Sequence, residues 1–394
     1  MPATIINACV VHTNGIAPYM SVEMADGKIT RLYPTGAMPP VGEVYDADGL
    51  FVSAGFIDIH VHGGGNGDFN DESVDSYEKA LDCHMRHGTT ALCPTIVAAA
   101  PDMLAGAAEA YETVLPRCGV ELPSMLGYHL EGPFIAPEQA GALDPAYIYP
   151  PTEANCRALM EACKKRIRIW TIAPELSGAL ALAPLLLSEG ILLSAGHTNA
   201  QYAHMEAAAQ AGFTMATHLY SAMSAFTRVE GKRVPGAIEA VLVLDGLAAE
   251  IIADGQHLPK EFLKLIVRAK GVDKLILVTD AMRAAGMPPG EYILGSLRSG
   301  RPVPVDELIA HTSDYTAFAG SIATADRLIR TMRDEAGVPL HEAVRMLTVN
   351  PARAVGISSR KGILAPGMDA DVVLFDDDIR MKGVWLQGER RVTA

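Results

Sequence analysis

Two histidines stand two residues apart in Ile57-Asp-Ile-His-Val-His62, at the end of an apolar run that gives way to Gly63, Gly64 and Gly65. In a strand, residues i and i+2 share a face, so both imidazoles can project to one point. Two imidazoles at a rigid strand end suit a divalent transition metal, although the pair alone reads equally well as ordinary polar residues. The chain supplies further donors in similar places. His129 and Glu131 lie in Gly127-Tyr-His-Leu-Glu-Gly-Pro133, His197 in Ser194-Ala-Gly-His-Thr198, His218 in Ala216-Thr-His-Leu-Tyr220, and Asp280 in Leu277-Val-Thr-Asp-Ala-Met282. Each closes a short apolar run. Singly, each is an ordinary loop residue or helix cap; jointly they form a mixed imidazole-carboxylate set suited to Zn2+, with Fe2+ or another divalent ion as alternatives.

Donors scattered over more than 200 residues need a scaffold that brings many strand ends to one face. Apolar runs at Phe56–His62, Thr89–Thr95, Ser124–Glu131, Arg166–Ala173, Gly190–His197, Thr214–Tyr220, Glu250–Asp254 and Lys274–Asp280 read as strands. Between them, Ser73–Arg86, Pro101–Leu115, Glu153–Lys164, Gln201–Ala211 and Lys260–Ala269 carry helical patterns. This alternation predicts a (β/α)₈ barrel of the TIM type, whose active sites form where the strands' C-terminal ends open. No G-x-G-x-x-G follows the first strand, which argues against an open dinucleotide-binding sheet. Residues 281–319 read as a long Gly- and Pro-rich excursion, followed by closing helices at Ser321–Asp334 and Leu340–Leu347. Both ends of the chain are strand-rich. Asp26-Gly27 marks a hairpin between Ser21–Met24 and Lys28–Tyr33, and Val372–Phe375 and Val384–Gln387 read as strands near the other end. The expected division is a small β-sandwich from residues 1–53 plus 355–394, and a metal-dependent barrel over 54–354.

The motifs H-x-H, H-L-E-G-P-F, S-A-G-H-T, A-T-H-L-Y, A-D-G-x-H and V-T-D-A-M, with Leu364-Ala-Pro-Gly-Met-Asp-Ala-Asp-Val-Val-Leu near the end, resemble the amidohydrolase superfamily. Within it, their order is similar to the N-acetylglucosamine-6-phosphate deacetylases. The resemblance implies hydrolysis of the sugar's N-acetyl group to glucosamine 6-phosphate and acetate. It assigns Glu131, His197 and His218 to one metal, and His60 and His62 with Glu131 and Asp280 to a second, hence one or two ions per subunit. Asp280 would take a proton from the attacking water and return it to the leaving amine. His129 is expected to support rather than ligate, and Asp58 likewise.

The same resemblance makes Arg233 a phosphate contact, with Arg228 a competitor, and His257 a sugar contact; backbone amides near Ser221 and Ala222 would add donors. It also implies a homodimer. Two positions depart from the family pattern: Leu143 stands where a histidine is usual, and Ser221 where asparagine is. Both bear on substrate recognition, so a related amidohydrolase acting on an epimeric or non-phosphorylated N-acyl amino sugar, or another acyl amine, is the alternative.

The net charge of −14 argues against nucleic acid or an anionic membrane as partner, and leaves room for a local basic pocket that takes a small phosphorylated sugar. Six cysteines without a C-x-x-C pair read as reduced thiols, and neither a leader segment nor an 18-residue apolar window is evident. A cytoplasmic protein is the expectation.

Overall fold

In the computed structural model, which describes residues 2–313, 315 and 317–393, eight parallel strands form the barrel. They are Phe56–Val61, Thr89–Val97, Tyr128–Glu131, Ile167–Ile172, Leu192–Ala195, Phe213–Ala216, Ala248–Ile251 and Leu275–Leu277. Neighbours pair in chain order from the first to the eighth. The eighth meets the first through a polar seam: the Asp280 N–H donates to the His60 carbonyl at 2.9 Å, and the Thr279 hydroxyl donates to Asp58 at 2.6 Å. The barrel is therefore nearly closed.

Strands buried on both faces need side chains that satisfy two cores, which is why the runs are continuously apolar. Leu92, Trp170, Leu193 and Leu277 pack outward with the helices, whereas Ile57, Ile59, Cys93, Ile169, Met215 and Ile276 share a separate inner cluster. Ala352, from a short helix Val349–Ala354 not expected from the sequence, and Val355, at that helix's C-terminal cap, join that cluster.

Local departures from the expected strands have physical causes. Residues 124–131 are not one strand: Ser124–Met125 and Tyr128–Glu131 are separated at Gly127, whose φ of 106° suits glycine, and a Cβ there would stand 2.8 Å from the Arg166 carbonyl oxygen. The first strand takes three steps from Asp58 to Val61 against two from Leu92 to Pro94, a one-residue bulge that re-aims His60. The helix expected from Ser321 starts at Ala325, because Ser321 is spent on a backbone bond to the Asp280 carbonyl at 3.0 Å.

The termini build one eight-stranded sheet, largely antiparallel, from Ala3–His12, Gly15–Ala25, Lys28–Pro34, Glu43–Asp46 and Phe51–Ala54 with Val372–Phe375, Met381–Leu386 and Glu389–Thr393. It folds over its own core: Tyr45 meets Trp385 edge-on at 5.4 Å although their strands are not neighbours, and Ile5, Val22, Met24 and Trp385 share one cluster. The excursion after the eighth strand contains a hairpin, Gly290–Leu294 with Arg301–Val305, and a small core of Met282, Val303, Val305 and Ala319. Buried Arg283 ties it down through Asp71 at 3.1 Å and the carbonyls of Ile293 and Gly295 at 2.6 Å.

Candidate metal centre

The strand ends converge on Glu131. Its Oε1 lies 3.0 Å from His197 Nε2, 2.9 Å from His218 Nε2 and 3.6 Å from His60 Nε2, while Oε2 lies 3.4 Å from His62 Nε2. Across the cluster, Asp280 Oδ1 is 3.0 Å from His62 Nε2 and 3.4 Å from His60 Nε2, and the two imidazole nitrogens face each other at 3.2 Å. All six residues are buried or nearly so. The geometry thus brings together every residue expected to ligate metal.

Three of these side chains owe their aim to unusual backbone. His197, His218 and Asp280 have φ of 48°, 29° and 47°, left-handed values that interrupt a ladder and carry strain in non-glycine residues. This is why the fifth, sixth and eighth strands end at Ala195, Ala216 and Leu277, before the residues expected to lie within them. Flanking bonds hold the bends: the His197 carbonyl accepts from Ala136 N–H at 2.9 Å, and the His218 carbonyl accepts from Ser221 N–H at 2.9 Å.

The electrostatics oppose burial against attraction. Burial raises the Glu131 carboxyl, but His60, His197 and His218 outweigh it and hold the group well below the usual carboxylate range. Burial also raises Asp280, yet the His62 hydrogen bond and neighbouring imidazoles bring it to about 2. For His62 and His218, burial is outweighed by hydrogen bonds to Asp280 and Glu131 respectively, lifting both to about 9. For His60, burial wins and the pKa falls to about 4.

The donor set fits a divalent cation. Ligands about 2.1 Å from a tetrahedral ion would stand about 3.4 Å from each other, and the carboxylate–imidazole separations here run from 2.9 to 3.6 Å. A site of this composition, four imidazoles and two carboxylates, offers the nitrogen and oxygen donors that a divalent transition metal takes. Glu131 has His60, His197 and His218 about one oxygen and His62 about the other.

Supporting residues surround the donors. His129 is 2.6 Å from the Thr171 hydroxyl through Nε2 and donates from Nδ1 to the Ile59 carbonyl at 3.0 Å; with both nitrogens engaged it is not free to ligate. Thr171, Thr217 and Ser194 continue a buried hydroxyl chain at 2.7 and 2.6 Å. His197 Nδ1 donates to the Gln139 carbonyl at 2.7 Å. Glu250 was expected only as a strand residue; its Oε2 lies 3.1 Å from His60 Nδ1 with both groups fully buried. The signal for it was an acid inside the apolar run Ala248-Ala-Glu-Ile-Ile252.

The expected substrate residues are distributed differently. His257 is held by Asp254, which lies 2.8 Å from its Nδ1, and packs against Phe318 with ring centroids 5.0 Å apart. Leu143 belongs to the loop that carries Gln139, and a Cβ on Gly141 of that loop would stand 3.8 Å from His197, so the loop lies against the donors. Ser221 and Ala222 lie three and four residues after His218, and Ala222, with φ 49°, accepts from Thr198 N–H at 3.1 Å. Arg228 and Arg233 face each other on an exposed hairpin, Thr227–Val229 with Lys232–Val234, and neither forms an ion pair among the described residues.

Residues 51–391 match the sequence profile of the amidohydrolase family. The chain belongs to that family. Over 98% of its length and 97% of the relative's, this amidohydrolase is 33% identical to an N-acetylglucosamine-6-phosphate deacetylase from Lysinibacillus sphaericus. It is 31% identical, over 93% of both chains, to an N-acetylgalactosamine-6-phosphate deacetylase from Escherichia coli O157:H7. A solved N-acetyl-D-glucosamine-6-phosphate deacetylase mutant from Mycobacterium smegmatis, in complex with N-acetyl-D-glucosamine-6-phosphate, has a TM-score of 0.88 and 32% identity. That comparison covers 100% of this amidohydrolase and 99% of the solved chain.

Proposed function

We propose that the chain is a metal-dependent deacetylase that hydrolyses N-acetylglucosamine 6-phosphate to glucosamine 6-phosphate and acetate. The observation that carries this reading is Glu131 clamped by the imidazoles of three strands with Asp280 opposite, in a chain alike from end to end to enzymes of that name. Glu131, His197 and His218 would hold one ion; His60 and His62, with Glu131 and Asp280, would hold a second. Zn2+ suits a nitrogen-rich set of this kind, with Fe2+ as the chief alternative.

When bound, a divalent cation polarises the acyl carbonyl and acidifies water. The chain's own residues do the rest. Asp280, ionised and held at 3.0 Å by His62, is the group positioned to accept a proton from the attacking water. The same carboxyl then returns that proton to the sugar nitrogen as the C–N bond breaks, so that an amine leaves and acetate remains. Bonds from the first strand's seam to the Asp280 backbone keep the carboxyl from swinging away. Substrate binding falls to His257, to Arg233 on its hairpin, and to the backbone near Ser221 and Ala222, with guanidinium the natural fork for phosphate.

A second reading is favoured by Leu143, whose side chain offers no hydrogen bond on the loop that carries Gln139, and by the galactosamine-type relative. Under it, the chain deacetylates an epimeric N-acetyl hexosamine phosphate or another N-acyl amino sugar. Acetate release from a panel of N-acetyl hexosamines, each with and without 6-phosphate, separates the two. Turnover confined to sugars other than N-acetylglucosamine 6-phosphate would replace the first reading with the second.

Six free cysteines support a reducing, cytoplasmic setting, and no helix among the described residues is long and apolar enough to cross a membrane. A homodimer is the assembly we propose on the family resemblance; sedimentation velocity checks it.

A further inference from the structure

We infer that Glu250 is a positioning residue that commits His60 to the one tautomer able to take a metal. The inference rests on the reading of this cluster as a metal site and extends it to a residue outside the donor set.

A neutral imidazole carries one N–H and one lone pair, and a ligand must present the lone pair. Among the described residues, His60 alone of the four donor histidines meets carboxylate oxygens on both nitrogens. Nε2 faces Asp280 at 3.4 Å and Glu131 at 3.6 Å; Nδ1 faces Glu250 at 3.1 Å. The two sides compete for the single proton. If it sits on Nε2, His60 donates to Asp280 or Glu131 and cannot ligate. If it sits on Nδ1, it donates to Glu250 and Nε2 is free.

Glu250 has the closer oxygen, and its own surroundings leave it little else to do. It is fully buried, its second oxygen has no hydrogen-bond partner among the described residues, and its backbone carbonyl is pinned by Leu219 N–H at 2.8 Å, just after His218. The other histidines lack such a device. His197 gives its Nδ1 proton to a backbone carbonyl, and His218 Nδ1 has no partner among the described residues. Outer-shell carboxylates on ligating histidines fix ring orientation and tautomer in this manner. The nearby triad of His60, His129 and Glu250 is not a separate ion site, because His129 has both nitrogens engaged.

The test measures zinc bound per chain at buffered free Zn2+ for the wild type, Glu250→Leu and Glu250→Gln. Glu250→Leu is expected to weaken one of the two positions by about 10- to 100-fold and leave the other unchanged. Glu250→Gln, whose amide oxygen still accepts from Nδ1–H, is expected to lose less than about tenfold, since it gives up only the charge assistance. Unchanged binding in Glu250→Leu, equal weakening of both positions, or a glutamine variant as poor as the leucine one would each overturn the inference while leaving the metal site itself standing. A wild type that binds no zinc would instead overturn the metal reading. Independently of any variant, 15N NMR of histidine-labelled, metal-free wild type should show His60 protonated at Nδ1; protonation at Nε2 would overturn the inference.

Discussion

The barrel mouth holds two populations of polar residues that differ in how firmly they are held. The donors around Glu131 are buried, emerge from strand ends, and are braced by a second layer: Glu250 behind His60, Gln139 behind His197, Asp58 and Thr279 across the seam. The residues expected to read the sugar sit on loops, and Arg228 and Arg233 lie exposed on a hairpin without an ion pair among the described residues. Bond cleavage needs groups fixed within tenths of an ångström, so it is built on the rigid scaffold. Recognition can be rebuilt by changing loops without disturbing the strands. On this contrast, changes at Leu143 and Ser221 are expected to alter the choice of sugar more than the hydrolytic chemistry.

The contrast can be broken from the inside first. Asp280→Asn should lower kcat by about 10²- to 10⁴-fold with the fold intact by circular dichroism; near-normal kcat would remove Asp280 from the proton path. Glu131→Gln, which strips the charge from the proposed shared ligand, should weaken metal binding by more than about tenfold. Metal analysis after dialysis checks it, and undiminished metal content would mean Glu131 does not ligate. From the outside, Arg233→Ala should raise KM for a 6-phosphate sugar by about tenfold to a hundredfold, the worth of a charge-assisted bond, with kcat little changed. The same change in Arg228→Ala would exchange the roles of the two arginines.

The smallest effect is on stability against pH. His62 and His218 are lifted from 6.5 to about 9 in the folded chain by Asp280 and Glu131, against the opposing pull of burial. A raised folded pKa contributes stability that is full below about 6.5 and disappears as pH rises through about 9. The metal-free chain should therefore lose several degrees of Tm between pH 7 and 9. Metal displaces those protons, so the loaded chain should show a flatter profile and bind more tightly as pH rises. Scanning calorimetry with and without Zn2+ checks both, and a metal-free Tm that climbs over this range would contradict the charge balance at the cluster.

Much of the rigid half was legible in the sequence because its signals are local. Each barrel strand is a short apolar run with a polar residue at its end, and the H-x-H spacing converts directly into a shared direction. What escaped was long-range or conformational. Glu250 looks like any strand residue until a contact 190 positions away gives it His60 as a partner. The left-handed bends at His197, His218 and Asp280 leave no mark in residue type, since none is glycine, so the strands were read past their true ends. The short helix Val349–Ala354 has too few residues to show a period, and is held by Asn350, whose amide donates to the Val272 and Leu275 carbonyls at 2.7 Å.

The central claim is that one buried cluster performs metal-dependent deacetylation of a phosphorylated N-acetyl sugar. The most direct measurement is acetate release from N-acetylglucosamine 6-phosphate by chelator-stripped protein titrated with Zn2+, with bound metal counted on the same samples. The account predicts no turnover without metal, and activity that rises in proportion to the metal bound and saturates at one or two ions per chain. Full activity in the stripped protein, or one to two tightly bound ions with no acetate released from this sugar, would contradict it.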